Sequence, residues 1–450
     1  MTKLRLAIVG AGPAGIYAAD ILLKAEKQFD VSIDLFEQLP APYGLVRYGV
    51  APDHPRIKGI INALRDVLDS GQIRLFGNVS FGRDITLDDL KKHYNAVIFS
   101  TGSIRDAALS VPGIDLPGSY GAADFVSWYD GHPDFPREWP LDATSVAVIG
   151  NGNVALDVAR MLAKHAEDLL PTEIPDNVHA GLAASPVTDV HVFGRRGPAQ
   201  VKFTPLELRE LGELNDVDMI LHEEDFDYDE ASKAAIATNK QVLVIDRVLT
   251  KWRERETGTA SRRLHLHFYA KPLEVLGEDG KVTGFRWERT TPDGAGGVVG
   301  TGEIREIPIQ ALYRAVGYFG SPLDGIPFDE KRGVIPNREG QVLDDNDELV
   351  HGVYATGWIK RGPVGLIGHT KSDAMETVRH VINDQANWWA PAKPEEEAIV
   401  DLLASRGVEF TNLDGWHNLD QHELALGEAA GRTRIKVVPR DEMVAVSNQR

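Results

Sequence analysis

The stretch LRLAIVGAGPAGIYAADILLKAEKQFDVSIDLFE, residues 4–37, decides the fold. It opens on a short apolar run, LRLAIVG (4–10), suited to a parallel strand buried on both faces. GAGPAG (10–15) follows as a turn, and Ala14 to Lys24 carries apolar residues at helical spacing through Ile16, Ala19, Leu22 and Leu23. VSIDLFE (31–37) reads as a second strand. In such a βαβ unit Gly10 permits the tight turn, Gly12 lets backbone approach a pyrophosphate, and Gly15 allows close packing of helix on sheet. The helix N-terminus then offers free N–H groups and partial positive charge to phosphates. Glu37, about 20 residues past the turn, is placed to accept hydrogen bonds from ribose hydroxyls and to repel a 2′-phosphate. That favours FAD or NAD over NADP at this first site.

The pattern restarts at SVAVIG (145–150), with GNGNVA (150–155), a helix from about Val154 to His165, and the strand DVHVFGRR (189–196). Gly150, Gly152 and Ala155 give the tolerated GxGxxA form of the turn. Arg195 and Arg196 stand where the first unit has Glu37, and paired guanidiniums suit a 2′-phosphate. The second ligand is therefore expected to be NADP(H). AVIFSTG (96–102) and VYATGW (353–358) read as strands returning to the first sheet, and QALYRAVGY (310–318) as a strand ending in a glycine turn. HLHFYAKPLEVLGEDGKVTGFRWERT (265–290) alternates around GEDGK as a hairpin, and 166–188 reads as a loop or short-helix insertion. The expected fold is α/β, with two nested, three-layer Rossmann-like dinucleotide-binding domains. An FAD domain is expected from 1–104 and 319–450, an NADP(H) domain from 105–318, and a C-terminal appendage without readable chemistry at 390–450.

A chain of 450 residues has room for two or three domains. The net charge of −19 disfavours nucleic acid and anionic membranes as partners. No apolar run approaches the length of a membrane span, and the N-terminus enters a strand at once, so a cytoplasmic location is expected. The cysteine count of zero excludes disulfides, CxxC redox pairs and cysteine-ligated zinc or iron–sulfur sites, and no metal site is expected. Redox chemistry here would need a bound organic cofactor.

PYGLVRYGVAPDHPRIK (42–58), GNGNVALDVAR (150–160), GRRGPAQVKFTPLELREL (194–211) and GWIKRGPVGLIG (357–368) closely resemble the adrenodoxin-reductase type of ferredoxin–NADP⁺ reductase, including its actinobacterial members. With the first glycine turn they span residues 8 to about 380. The resemblance implies a glutathione-reductase-like arrangement and a reaction in which hydride passes from NADPH to FAD, then single electrons to ferredoxin or a similar iron–sulfur carrier. It implies FAD contacts at Ala14, Glu37, Leu45 and Val79, with Trp358, Gly365, Leu366 and Ile367 along the isoalloxazine. It implies NADP contacts at Asn151, Gly152, Asn153, Val154, Arg195, Arg196 and Glu207, with Gly365 at the nicotinamide end and Arg105 also within reach. His54 would handle a proton or a hydrogen bond near the flavin.

Several residues carry two readings. His54 or Asp53 could instead cap a helix with Pro55 at its first position. Trp358 could stack on a ring or fill a core. Glu207 and Glu210 sit one helical turn apart and could both face a cleft, while Asp157 serves electrostatics between domains or is plain helix surface. A helix over 368–382 is expected to be capped by Thr370 or Ser372. Arg209, Lys251, Arg253, Arg255, Arg262 and Arg263 are candidates for a basic patch that meets an acidic ferredoxin. The competing enzymatic readings are a flavin monooxygenase and an electron-input subunit similar to the small subunit of glutamate synthase. A disulfide reductase is excluded by the missing cysteines, and a non-catalytic NADP-sensing module is disfavoured by two intact nucleotide turns.

Overall fold

The computed structural model describes residues 3–364 and 367–449. The chain forms two compact units, one of Met1–Arg105, Asp130–Phe135 and Tyr318–Arg450, the other of Asp106–Tyr129 and Pro136–Gly317.

The first unit is built on a seven-stranded sheet in the order Asn337–Arg338, Gln341–Leu343, Leu349–Ala355, Ala96–Phe99, Lys3–Val9, Asp30–Phe36 and Ile73–Phe76. The last five strands run parallel. Alternate residues of the first strand enter different cores, which is why its run is nearly continuous in apolar character. Leu4, Leu6 and Ile8 join a cluster with Ile16, Ala19 and Leu22 of helix Pro13–Lys24, and with Ala374 and Val378 of helix Ile367–Asn383. Ala7 and Val9 join Val97, Phe99, Ile335, Ile399 and Leu403 on the other face. Arg5 interrupts the run but is matched by fully buried Asp34 at 2.7 Å, which Arg74 also holds.

The second unit carries a six-stranded parallel sheet in the order Ser119–Gly121, Ala311–Arg314, Ser145–Ile149, Asp189–Phe193, Arg262–His267 and Val217–Leu221. A three-stranded antiparallel sheet, Ala270–Glu278, Lys281–Pro292 and Val298–Pro308, accompanies it. The expected hairpin is thus real from Ala270 onward, turning at Asp279 and Gly280 with φ of 50° and 73°. His265 and His267 instead end a parallel strand; short strands of both kinds alternate alike, so periodicity could not separate them. The 310–318 segment holds two short strands, Ala311–Arg314 and Tyr318–Phe319. Residues 166–188 contain a 3₁₀ turn, Ala166–Leu169, and helix Asp176–Ala184.

The expected C-terminal appendage is part of the first unit's interior. Helices Glu396–Ser405, Leu413–Ala429 and Arg440–Ser447 place Ile399 and Leu403 in one core cluster, and Trp416, Leu419 and Met443 in the other. Glu423, fully buried, accepts from both terminal nitrogens of Arg47 at 3.0 and 2.6 Å, from Arg434 at 2.9 Å and from the Val437 N–H at 3.0 Å. Lys436 donates to the carbonyls of Arg47 and Asp130 at 2.9 and 3.0 Å. These polar anchors have no periodicity, so the segment reads as detached from sequence alone.

Glu423→Ala leaves Arg47 and Arg434 buried around a missing charge. Breaking a buried pair in this way is expected to cost about 3–5 kcal/mol in urea unfolding of the whole chain; a loss below about 1 kcal/mol would contradict the anchoring role. His132 packs its ring 5.2 Å from Tyr48 and 5.1 Å from Phe135, and burial pushes its pKa down to about 4, partly opposed by Asp134. Because the folded value lies below the unfolded one of about 6.5, its contribution is fully present above pH ~6.5 and is lost as pH falls towards 4. His132→Gln should flatten that part of the stability–pH curve by up to about 3 kcal/mol, and an unchanged slope would refute the assignment.

Candidate functional site

Both glycine turns are tied to the strand that follows in the same way. The Gly10 N–H donates to the Phe36 carbonyl at 2.7 Å, and the Gly150 N–H donates to the Phe193 carbonyl at 3.0 Å. Phe36 and Phe193 are therefore equivalent positions. Glu37 comes directly after the first, and Gly194, Arg195 and Arg196 directly after the second.

At the first turn Gly10 takes φ +110°, and a Cβ there would lie 2.5 Å from the Ser100 carbonyl oxygen. A Cβ on Gly15 would lie 2.1 Å from the Gly10 oxygen, so helix and turn touch without room for a side chain. At Gly12 the nearest atom would be the Gly44 Cα at 3.9 Å, which leaves this flank of the turn open. Helix Pro13–Lys24 starts behind Gly12 with no side-chain cap. Nearby, the Thr101 hydroxyl is buried without a hydrogen-bond partner among the described residues. Open space, uncapped N–H groups and an unsatisfied hydroxyl fit the phosphate-bearing part of FAD.

Glu37 is buried, and its two carboxylate oxygens accept from the Ala11 N–H at 2.9 Å and the Leu39 N–H at 3.1 Å. Burial raises its pKa, while those backbone donors pull the other way. Ala14 is partly exposed in the helix's first turn, and Gly357 packs so closely on it that a Cβ there would lie 2.6 Å from the Ala14 Cβ. Leu45 begins the short helix Leu45–Tyr48 and is partly exposed. The Val79 side chain lies in the core and its N–H donates to the Glu37 carbonyl at 2.9 Å, so only its backbone remains for a ligand.

Trp358, at the start of helix Trp358–Arg361, is half-buried and lies outside the core clusters of the described residues, which goes against the core reading. Sequence reasoning missed Asp373, whose carboxylate accepts from the Gly357 N–H at 2.5 Å and from the Thr356 hydroxyl at 3.1 Å. It takes up the backbone of the glycine turn that in this chain lacks a following aspartate, and nothing near Gly357 in the sequence signals it. Gly365 and Leu366 lie outside the described residues; Ile367 begins helix Ile367–Asn383. Thr370 and Ser372 fall inside that helix and do not cap it. The Ser372 hydroxyl donates back to the His369 carbonyl at 2.9 Å, the usual fate of a serine within a helix.

His54 is buried and occupies the N-cap position of helix Pro55–Lys58, with Pro55 first in the helix as expected, but its side chain makes no capping bond. The capping reading of the His54 ring therefore fails. Arg105 donates to the Gly320 carbonyl at 3.0 Å and pairs with Glu330 at 3.7 Å.

At the second turn a Cβ on Gly152 would meet nothing within 4 Å, and helix Asn153–Ala163 again lacks a side-chain cap. The Asn151 carbonyl accepts from the Lys202 N–H at 2.9 Å and Asn153 Oδ1 from the Thr204 N–H at 2.8 Å, so the 202–204 loop is strapped to the turn. Val154 is partly exposed in the first turn of the helix. Arg195 and Arg196 are exposed, and among the described residues neither has a carboxylate partner. Their backbone is fixed instead: the Arg195 carbonyl accepts from Thr290 at 3.1 Å and the Arg196 carbonyl from the Tyr269 N–H at 3.2 Å. Glu207 is buried in the first turn of helix Pro205–Leu211. Glu210, partly exposed, lies 3.7 Å from Arg160, which also pairs with Asp157 at 2.8 Å. Glu207 and Glu210 thus differ in environment, and Asp157 is engaged within its own helix.

Two of the six residues of the expected basic patch are paired with carboxylates. Arg253 is paired with Glu223, Arg263 with Asp189 at 2.5 Å, Arg262 donates to the Ala163 and Lys164 carbonyls, and Arg255 lies over the Trp252 ring. Only Arg209 and Lys251 of the six are exposed without a partner among the described residues.

Residues 4–249 match the family model described as pyridine nucleotide-disulphide oxidoreductase. The chain is 40% identical over 462 aligned residues to the NADPH-ferredoxin reductase FprA of Mycobacterium tuberculosis, covering 99% of both chains. It is 38% identical over 455 to the mitochondrial NADPH:adrenodoxin oxidoreductase of Homo sapiens, covering 98% of this chain and 91% of that one. The chain belongs to the pyridine nucleotide-disulphide oxidoreductases, alongside the NADPH-ferredoxin and adrenodoxin reductases. Its fold superimposes on Mycobacterium tuberculosis FprA in complex with NADPH with a TM-score of 0.91 at 38% identity, over 99% of this chain and 100% of that chain. This member of the family contains no cysteine, so the disulphide chemistry in the family's title has no counterpart in its side chains. No helix among the described residues is long and apolar enough to cross a membrane.

Proposed function

We propose that the protein is an FAD-dependent NADPH:ferredoxin oxidoreductase. One observation carries the reading: at equivalent strand ends the chain presents a buried carboxylate in one unit and, in the other, two guanidiniums without a carboxylate partner among the described residues. On this reading the first unit is the FAD-binding domain and the second the NADP(H)-binding domain, and the likeness to FprA and adrenodoxin reductase supports it. FAD, when bound, takes a hydride from NADPH and passes electrons singly to an iron–sulfur protein such as a ferredoxin.

The chain's own residues bind and orient. N–H groups of the Gly12–Gly15 turn take the FAD pyrophosphate, and Glu37 takes a ribose hydroxyl on its remaining lone pairs. Leu45, the Val79 backbone, Trp358, Gly365, Leu366 and Ile367 line the rest of the flavin. Asn151 to Val154 take the NADP pyrophosphate, Glu207 the nicotinamide ribose, and Arg195 with Arg196 the 2′-phosphate through charge-assisted bonds. Arg105 reaches NADP only by leaving the Gly320 carbonyl and Glu330. His54 holds or moves a proton at an imidazole nitrogen beside the flavin; its burial without a capping bond supports that role. The absence of cysteine supports a separate protein as the electron acceptor. A cytoplasmic setting suits a reductase that serves a diffusing carrier.

The purified protein should be yellow, should reduce ferricyanide with NADPH far better than with NADH, and should reduce cytochrome c only when ferredoxin is added. Arg195→Ala with Arg196→Ala should raise KM for NADPH by at least about 100-fold, given about 1.5–3 kcal/mol per charged hydrogen bond, with FAD retained. Equal use of NADH by the unaltered protein, or loss of flavin from the variant, would overturn the assignment of the two sites. His54→Gln should lower kcat by about 100-fold at full flavin content, and an unchanged kcat would remove His54 from the chemistry.

A further inference from the structure

Outside these sites the second unit carries a row of histidines that the proposed reaction does not use. Strands Asp189–Phe193 and Arg262–His267 are parallel neighbours, with His191 in register with His265 and Phe193 with His267. Alternation sends Val190, Val192, Leu264 and Leu266 into the interior, and Asp189, His191, Arg263, His265 and His267 to the opposite, partly exposed face. There the imidazoles gather: the rings of His191 and His265 are 4.1 Å apart and those of His191 and His267 5.3 Å. One ring nitrogen from each of the three lies within 4.8 Å of the others, and His191 Nδ1 is 3.0 Å from His267 Nε2.

The surroundings fix the state of the rings. His265 Nε2 lies 3.0 Å from Asp189 Oδ1, and Arg263 grips the same carboxylate at 2.6 and 2.5 Å. Paired with Arg263, the Asp189 carboxylate faces His265 Nε2 as an acceptor. Nε2 of His265 is then the donor, which leaves the Nδ1 lone pair for a ligand; this carboxylate–histidine pairing is the one that orients metal-bound imidazoles. An ion binding here would replace the His191–His267 contact, drawing on the nitrogen lone pairs that the contact now brings together. Two nitrogens on a tetrahedral zinc with bonds of about 2.0–2.1 Å sit roughly 3.4 Å apart, a spacing that small side-chain rotations reach from the observed positions.

We propose that His191, His265 and His267 form a binding site for one divalent transition-metal ion of the zinc, nickel or copper class, with Asp189 as the outer carboxylate. Three imidazoles without oxygen ligands disfavour magnesium and calcium. The partial exposure of the rings gives an ion a way in and leaves a coordination position for water. An ion here would staple together two strands directly below Gly194, whose N–H donates to the His267 carbonyl at 2.8 Å. Sequence reading expected no metal because the ligands come from two distant strands and follow no spacing motif.

The test uses the tag-free holoprotein after chelator dialysis. Titration with zinc chloride against a chromophoric competitor should give one equivalent per chain with micromolar or tighter affinity, and saturation should raise Tm by about 5 °C or more. His191→Asn with His267→Asn should weaken binding at least about 100-fold, and Asp189→Asn about 10–100-fold, at unchanged flavin content. His417→Asn, a surface histidine paired with Asp69, should change nothing. Absence of stoichiometric binding, or wild-type affinity in the double variant, would overturn the proposal. Should that variant misfold, zinc must protect His191, His265 and His267 of the unaltered protein from diethylpyrocarbonate; equal modification with and without zinc would refute the site.

Discussion

Helices Pro13–Lys24 and Asn153–Ala163 both begin behind a glycine, where a capping side chain would ordinarily sit. The first N–H groups of any helix need partners from outside it. In Pro13–Lys24 and Asn153–Ala163 the preceding turn is clamped to the next strand through the Gly10–Phe36 and Gly150–Phe193 hydrogen bonds. The turn cannot fold back to supply a cap, and no side chain does. A bound phosphate is the natural partner for such an end, and on the proposed reading the parallel strands of the two sheets hold both helix ends in place for one.

Which nucleotide each end accepts depends on one position. Glu37 is desolvated, and two backbone N–H donors compensate part of that cost and aim the carboxylate. A second negative charge beside it would be repelled by the carboxylate. Arg195 and Arg196 are the opposite arrangement: exposed guanidiniums on a backbone pinned by Thr290 and Tyr269, ready for an anion that the described residues do not provide. On the proposed reading, the same fold separates two dinucleotides by the sign of charge and by its burial.

The C-terminal helices show how charge can also build a core. Glu423, Arg47 and Arg434 are buried together, and Lys436 is spent on two backbone carbonyls, one of them that of Arg47 in the Leu45–Tyr48 helix. A segment that lies far along the chain thereby holds a loop that the proposed reading puts against the flavin. Buried charges at such a junction specify one arrangement, since every alternative leaves an ion unpaired.

Both glycine turns, the strands that flank them and the charge contrast were legible in the sequence, because each depends on neighbours within about 40 residues and on periodicities of 2 and 3.6. The start of the Ala270 hairpin, the fate of Ser372 in helix Ile367–Asn383 and the carboxylate partners of Arg253 and Arg263 were not. The first and last depend on which distant residue arrives alongside, the next strand for His265 and Glu223 or Asp189 for the two arginines, whereas Ser372 donates locally to the His369 carbonyl three residues back. By itself the sequence determined that two α/β units carry glycine turns whose following strands end in opposite charges, since local backbone geometry and charge are written residue by residue. The tertiary structure alone decided that Glu423 locks Arg47, that Asp373 holds Gly357, and that three histidines from two strands share one face. Those pairings join residues with no common local period, and only the folded sheet and its helices bring them within bonding distance.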